Sequence, residues 1–378
     1  MNTRPISEIA NKNNNLNSAG ENRHEKTDLL SAIENRIAES ENGLNAFAAK
    51  SFRSARYTLI KRLAAKGSRV LSLQDKSDWV AEEKAFGRLG IEIIFPSSFS
   101  GNSLSETLST ENISVIYLST IDTSTLKVHN FTEIITTAHR HGIPVVFDNT
   151  AGFLGTVFKP LSEKADFVID NVESYDLFRN TRIGAFIIEG KNLAGSPVTP
   201  GTSFLDVLKL NRALVNKHRF LPLGPESPVD KLLIEERARY RQFGDTTYKV
   251  ARWLNQSSLV SRVEYPGITG DSSSGNAESH FTGGFGNVLR FSPANDDFGF
   301  SLLRSFFISG RPAGLNIKTD TEKRSFRVEI TQTDAGQVLE YFQRVIHQLE
   351  KELEFKKSFK KRLAVERALA EVLKNMKF

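Results

Sequence analysis

Six short apolar runs, SRVLSL, IEIIF, SVIYLST, IPVVFDN, ADFVID and GAFIIE, recur between residues 68 and 189, rich in Val and Ile and apolar at consecutive positions. Amphipathic or polar stretches such as DWVAEEKAFGRLG and NFTEIITTAHRHG separate them. A strand that is apolar on both faces must be covered on both, and a helix between two such strands provides the crossover that parallel pairing needs. The pattern predicts one α/β domain over residues 26–225, a mostly parallel sheet covered by helices. At its start, DLLSAIENRIAESE places Leu29, Leu30, Ile33 and Ile37 at helical spacing and predicts the first ordered helix. Residues 1–25 are polar, Asn-rich and aperiodic, which predicts a flexible N-terminal arm.

The pattern changes near residue 226. A long polar helix, ESPVDKLLIEERARYRQFGDTTYKVARWL, precedes the strands SRVEYPG and GNVLRFSP, the helix FGFSLLRSFF, the strand SFRVEITQ and a final helix from about Asp334. Helices mixed with a few antiparallel strands predict a smaller α+β domain over residues 226–352. GDSSSGNAESHFTGGFG reads as a Gly/Ser-rich loop, and residues 353–378 as a basic helical extension.

Composition narrows the function. With 378 residues, 39% hydrophobic and 25% charged, the chain has core material for two domains. No run approaches the roughly 18 apolar residues of a membrane span, and the polar N-terminus lacks a signal-peptide core, so no membrane role and a cytoplasmic location are expected. The absence of cysteine excludes thiol catalysis, disulfides and Cys-ligated metals. The net charge of +6 is concentrated in the C-terminal extension, which reads as a solvated helix face because no nucleic-acid motif accompanies it. His139 and His141 stand beside Gly142 at a predicted helix end, where a cation favours the dipole, and no metal site is expected. Metalloprotease, phosphate-loop and nucleophile-elbow motifs are absent.

One long segment, IPVVFDNTAGFLGTVFKPLSEKADFVIDNVESYDLFRNTRIGAFIIEG, carries a resemblance. It is similar to the centre of the Cys/Met-metabolism family of pyridoxal-phosphate enzymes, and most of all to the O-acetylhomoserine sulfhydrylase branch. Asp148, Asn149 and Thr150 stand at the family's Asp-Asn-Thr strand end, and Pro160, Leu161, Ala165 and Asp166 match the loop that follows. AIENRIAESENGL, RLGIEIIF, LPLGPESP, VEYPG and GGFGNVLRF match further landmarks, so the resemblance covers about residues 28–350. It implies a fold-type-I pyridoxal-phosphate-transferase-like architecture and an oligomer, dimer or tetramer. In the family the Asp148 position pairs with the protonated pyridine nitrogen of the cofactor. Read from this sequence alone, Asp148 is equally a strand-end residue that caps a turn.

The same resemblance implies that the catalytic apparatus is missing. Family chemistry uses a lysine that forms a Schiff base with the cofactor, at the end of His-Ser-Ala-Thr-Lys. Here that run falls on Asp170, Asn171, Val172, Glu173 and Ser174, so Ser174 takes the lysine's place, and its hydroxyl cannot form an imine. The phosphate-binding Ser-Gly turn falls on Ser51, Phe52 and Arg53, where Phe52 replaces glycine. The partner-subunit Tyr-x-Arg falls on Asn22 and His24, and the ring-stacking Tyr-Gly-Gly-Thr loop falls in SLQDKSDWVAEE, whose only aromatic residue is Trp79. Arg327 in SFRVEI aligns with the arginine that binds the substrate carboxylate, and an Arg paired with a nearby acid on a strand face is the competing reading.

Two functions from different classes follow. The first is a degenerate, non-catalytic relative that serves as a binding, assembly or regulatory subunit, alone or with an active paralogue, its pyridoxal phosphate not covalently bound or lost. The second is an enzyme of sulfur amino-acid metabolism with altered chemistry. In it Asp148, Asn171, Glu173, Ser174, Ser51, Arg53 and Arg327 would line a vestigial crevice for an amino-acid-like ligand or a non-covalently held cofactor. A third reading, the basic extension as a docking element for an acidic partner or nucleic acid, has the least support in the sequence.

Overall fold

The computed structural model of the chain describes residues 30–96, 101–122, 124–173, 178, 183–191, 229–268, 274–294, 297–307, 310–331 and 334–375. The proposed N-terminal arm and Ser174 lie outside the described residues. The chain divides into two compact units, residues 1–238 with 280–283, and residues 239–279 with 284–378.

In the first unit a helix over residues 30–40 (α1) leads into β1 (Asn45–Ala49), α2 (Phe52–Leu63), β2 (Arg69–Ser72), α3 (Val80–Gly87) and β3 (Glu92–Ile94). Then follow α4 (Gly101–Thr110), β4 (Ile113–Ser119), α5 (Phe131–Arg140), β5 (Val145–Asp148), β6 (Phe167–Asn171) and β7 (Ala185–Glu189). They form a seven-stranded sheet in the order β1-β7-β6-β5-β4-β2-β3. Strands β3, β2, β4, β5 and β6 pair in parallel, each apolar run lying where the sequence pattern puts it. GAFIIE, as β7, is antiparallel to β6, and β1 is antiparallel to β7. All five β7 residues are buried, and a strand buried on both faces reads the same in either direction, so the pattern left its polarity open.

Because β1 and β6 point the same way, the carboxyl ends of β1, β2, β4, β5 and β6 share one edge of the sheet. That edge is where open α/β sheets bind ligands.

In the second unit the end of α6 (Val229–Gln256) is followed by β8 (Val260–Glu264), α7 (Ser274–His280), β9 (Val288–Pro293) and α8 (Asp297–Phe306). β10 (Leu315–Asp320), β11 (Ser325–Ile330) and α9 (Ala335–Asn375) complete it. Its sheet is antiparallel, in the order β10-β11-β9-β8, and packs on a core that includes Phe291, Phe326, Val328 and Phe342. Two elements escape the sequence pattern. The helix α7, SGNAESH, is short and opens on Ser274, Gly275 and Asn276, poor helix formers. The strand β10, LNIKTD, is an edge strand with only Leu315 buried, so it has little apolar signal.

Candidate functional site

Asp148 ends β5 at the shared sheet edge and is 7% exposed. Its Oδ1 accepts from the Thr150 N–H at 3.0 Å and the Thr150 hydroxyl at 2.5 Å. Its Oδ2 accepts from the side-chain amide of Gln74 at 2.9 Å. Burial pushes the carboxyl's pKa up, and the Thr150 hydrogen bonds oppose that rise. The Gln74 amide also donates to the Ser119 hydroxyl, so one buried side chain bridges the ends of β4 and β5. Gln74 Oε1 is buried with no partner.

Around this bridge the loop after β2 is packed shut. Trp79 is fully buried; its indole N–H donates to Ser72 at 2.8 Å and its ring meets Tyr117 edge-on at 4.9 Å. The Arg56 guanidinium of α2 lies 4.3 Å above the Trp79 ring and forms a buried ion pair with Glu82 of α3. Arg56 Nη2 also donates to the Asp78 carbonyl at 2.8 Å. A buried guanidinium needs partners of this kind, since an unpaired one costs several kcal/mol. Trp79, the aromatic residue of the loop aligned with the family's ring-stacking segment, thus serves as core.

The turn entering α2 brings two of the sequence candidates together. Ser51 caps the helix, accepting from Ser54 N–H at 3.2 Å while the Ser54 hydroxyl accepts from Ser51 N–H at 3.1 Å. The Phe52 N–H donates to the carboxylate of Glu173 at 3.3 Å. That carboxylate sits at the positive end of the helix dipole, a favourable place for an anion. Asn171 Oδ1 accepts from the Glu173 N–H at 3.1 Å and shapes the segment that presents it. Arg53 is exposed and reaches Glu82 at 3.7 Å. Ser51→Ala removes the cap and is expected to lower stability by about 1 kcal/mol, read as a fall in the denaturation midpoint with an unchanged slope.

Arg327 belongs to the second unit. In β11 it stands between Lys318 of β10 and Arg290 of β9, and its Nε is buried without an acceptor. No carboxylate pairs with it among the described residues.

Sequence reasoning missed a buried acidic cluster. Glu41, after α1, and Asp170, in β6, are 0% and 1% exposed. Burial raises both pKa values, the charges of Glu41 and Asp148 raise that of Asp170 further, and Arg237 opposes the rise for both Glu41 and Asp170. Both oxygens of Asp170 lack a hydrogen-bond partner. Glu41 and Arg237 are 196 residues apart, which left no local signal. Asp166, by contrast, has a structural role, accepting from Val145 N–H and contacting His139 Nε2, each at 2.8 Å. Among the described residues there is no cluster of metal-binding side chains and no helix long and apolar enough to cross a membrane.

The fold, a mostly parallel sheet covered by helices beside a smaller antiparallel unit, is that of the fold-type-I pyridoxal-phosphate enzymes. A cystathionine gamma synthase of Xanthomonas oryzae, solved with aminoacrylate and cysteine, superposes with a TM-score of 0.67 at 16% identity, covering 85% of this chain and 86% of that one. Residues 10–194 match the sequence pattern of the Cys/Met metabolism PLP-dependent enzymes. The homocysteine/cysteine synthases of Saccharomyces cerevisiae and Kluyveromyces lactis are 29% and 30% identical over 68% and 69% of this chain. An O-acetyl-L-homoserine sulfhydrylase of Thermus thermophilus is 25% identical over 69% of it and 67% of its own length. The chain belongs to the Cys/Met-metabolism family of pyridoxal-phosphate-dependent enzymes. It spans less than two thirds of the two yeast synthases, 63% and 64% of their lengths.

Proposed function

We propose that the chain is a non-catalytic member of this family, related to the O-acetylhomoserine sulfhydrylase and cystathionine synthase type, that acts as a binding or assembly subunit. Its partner is a second copy of itself or an active paralogue, because the family's sites are completed across subunit interfaces. The observation that carries this reading is the Gln74 amide on Asp148. The carboxylate that should meet a pyridinium N–H is instead held by the protein's own buried side chain.

Two further observations support the reading. Glu173 puts a negative charge at the start of α2, where the family binds a phosphate, and like charges there repel. Phe52 stands where glycine would let that phosphate approach the backbone. The residues at the sheet edge do not fit pyridoxal phosphate, and with Ser174 at the lysine position no step passes through the cofactor.

The test is to add pyridoxal phosphate to the purified protein and record its visible spectrum, with sulfhydrylase and cystathionine synthase turnover in parallel. The expected result is neither a Schiff-base band nor turnover. A band that borohydride fixes to a lysine would end the proposal.

Arg327 favours a second reading, an enzyme or binder with altered ligand chemistry. Its buried Nε has no acceptor, and a guanidinium suits a carboxylate ligand. An amino-acid panel that raises the melting temperature of wild-type protein but not of Arg327→Ala would favour this reading, since a ligand of the folded state must stabilise it.

A further inference from the structure

The last helix changes character where it leaves the core of its unit. Val338, Tyr341, Phe342, Val345, Ile346 and Leu349 of α9 are buried. Between residues 354 and 368 no side chain is buried. Phe355 and Phe359 are 68% and 56% exposed, their rings stacked with centroids 6.5 Å apart, and Val365 is 58% exposed. Phe355, Phe359 and Leu363 follow one another at i,i+4 spacing along a single stripe, and Val365 lies on another face.

Cations crowd the rest of this segment. Lys356, Lys357, Lys360, Lys361, Arg362 and Arg367 face Glu366 as the sole acid between 355 and 368. Lys356 lies 3.6 Å from the Phe298 ring centroid. No carboxylate among the described residues pairs with Lys357, Lys360, Lys361 or Arg362. Two stacked phenyl rings in water forgo the burial that rewards apolar side chains, and the clustered cations repel one another. A surface that is apolar beneath and anionic at its rim relieves both costs.

We infer that residues 355–368 are a docking helix that lies in the plane of an anionic phospholipid surface, with Phe355 and Phe359 inserted between headgroups, Arg362 beside them reaching the phosphates, and the other cations adding to the attraction for the surface. Long lysine stems can bury their methylenes and keep the charge at the interface, and basic helices with aromatic residues on the apolar face bind in this way. A second copy of the helix is a poor occupant because it carries the same excess of positive charge. A nucleic-acid duplex would satisfy the cations but leave the stacked phenyl pair uncovered. The inference is independent of the cofactor question, since it rests on residues of the second unit alone.

Ser358 is exposed in the middle of the stretch, between Lys357 and Phe359. A phosphate there would place about two negative charges among the lysines and weaken the contact.

The full-length protein tests this by co-sedimentation with phosphatidylcholine vesicles, either pure or with roughly one lipid in three replaced by phosphatidylserine. The expected preference for anionic vesicles is about tenfold or more, falling as salt screens the charges. Phe355→Ser with Phe359→Ser, and separately Lys360→Glu with Arg362→Glu, are each expected to reduce binding about tenfold without changing the melting temperature, because these residues lie outside the core. Ser358→Glu is expected to give a smaller loss. Four results would overturn the inference: no binding to anionic vesicles, equal binding to neutral ones, anionic binding unaffected by the Phe substitutions, or tighter retention on duplex nucleic acid than on vesicles.

Discussion

Trp79→Ala is expected to destabilise the first unit by about 3–5 kcal/mol, the cost of emptying a buried site the size of an indole. For a unit of this size the melting temperature should fall on the order of 10 °C. The residue is fully buried and does more than fill space. Its ring covers the Arg56 guanidinium, its N–H satisfies Ser72, and its edge packs on Tyr117. Removing it lets water reach the Arg56 and Glu82 pair and unsettles the loop from which Gln74 reaches Asp148. Trp79→Phe keeps a ring beneath Arg56 and should lose roughly half as much. The protein has two tryptophans, so the Trp79 contribution to intrinsic fluorescence is separable from that of Trp253. A melting temperature within about 1 °C of wild type would mean that the indole faces solvent and is free to stack on a ligand ring. That result would weaken the case for a closed crevice.

The second large effect is a dependence on pH that runs against the usual behaviour of paired carboxylates. Burial pushes the Glu41 carboxyl up to about 7 from 4.5, with Arg237 and Lys159 opposing the rise. Asp170, which faces Glu41 and Asp148, is raised as well, and Arg237 opposes it. Between the unfolded and folded pKa values the folded chain holds a proton that the unfolded chain has lost. Stability must therefore fall as pH rises from about 4.5 to about 7 and then level off for this group. Each tenfold gain in proton affinity on folding corresponds to about 1.4 kcal/mol, so Glu41 alone accounts for on the order of 3 kcal/mol. Wild-type protein should melt higher at pH 5 than at pH 8, and Glu41→Gln should flatten that difference and raise the melting temperature at pH 8. The glutamine carbonyl can still accept from Arg237, which also holds the Leu154 carbonyl at 3.0 Å. A melting temperature that climbs between pH 5 and pH 8 in wild type would contradict the assignment.

The position of Glu41 is closely constrained. A Cβ on Gly155, which has φ +67°, would lie 2.4 Å from Glu41 Oε1, so any side chain there would displace the carboxylate or the loop. Phe153 and Leu154, just before it, also adopt positive φ, a conformation that costs non-glycine residues energy. Arg237 binding the Leu154 carbonyl helps hold this turn.

By itself the sequence determined the apolar strands, the helices between them and the family. These are local properties: a strand buried on both faces is written as a run of Val and Ile, and an aligned motif as neighbouring letters. Tertiary structure alone decided the antiparallel course of GAFIIE, the edge strand LNIKTD, and what fills the sheet edge. Gln74 and Asp148 are 74 residues apart, Phe52 and Glu173 are 121, and Glu41 and Arg237 are 196. Nothing in the residues around Gln74 marks it as the partner of a strand-end aspartate. Burial, and the cost of leaving a buried polar group without a partner, selects such contacts only once the chain has folded.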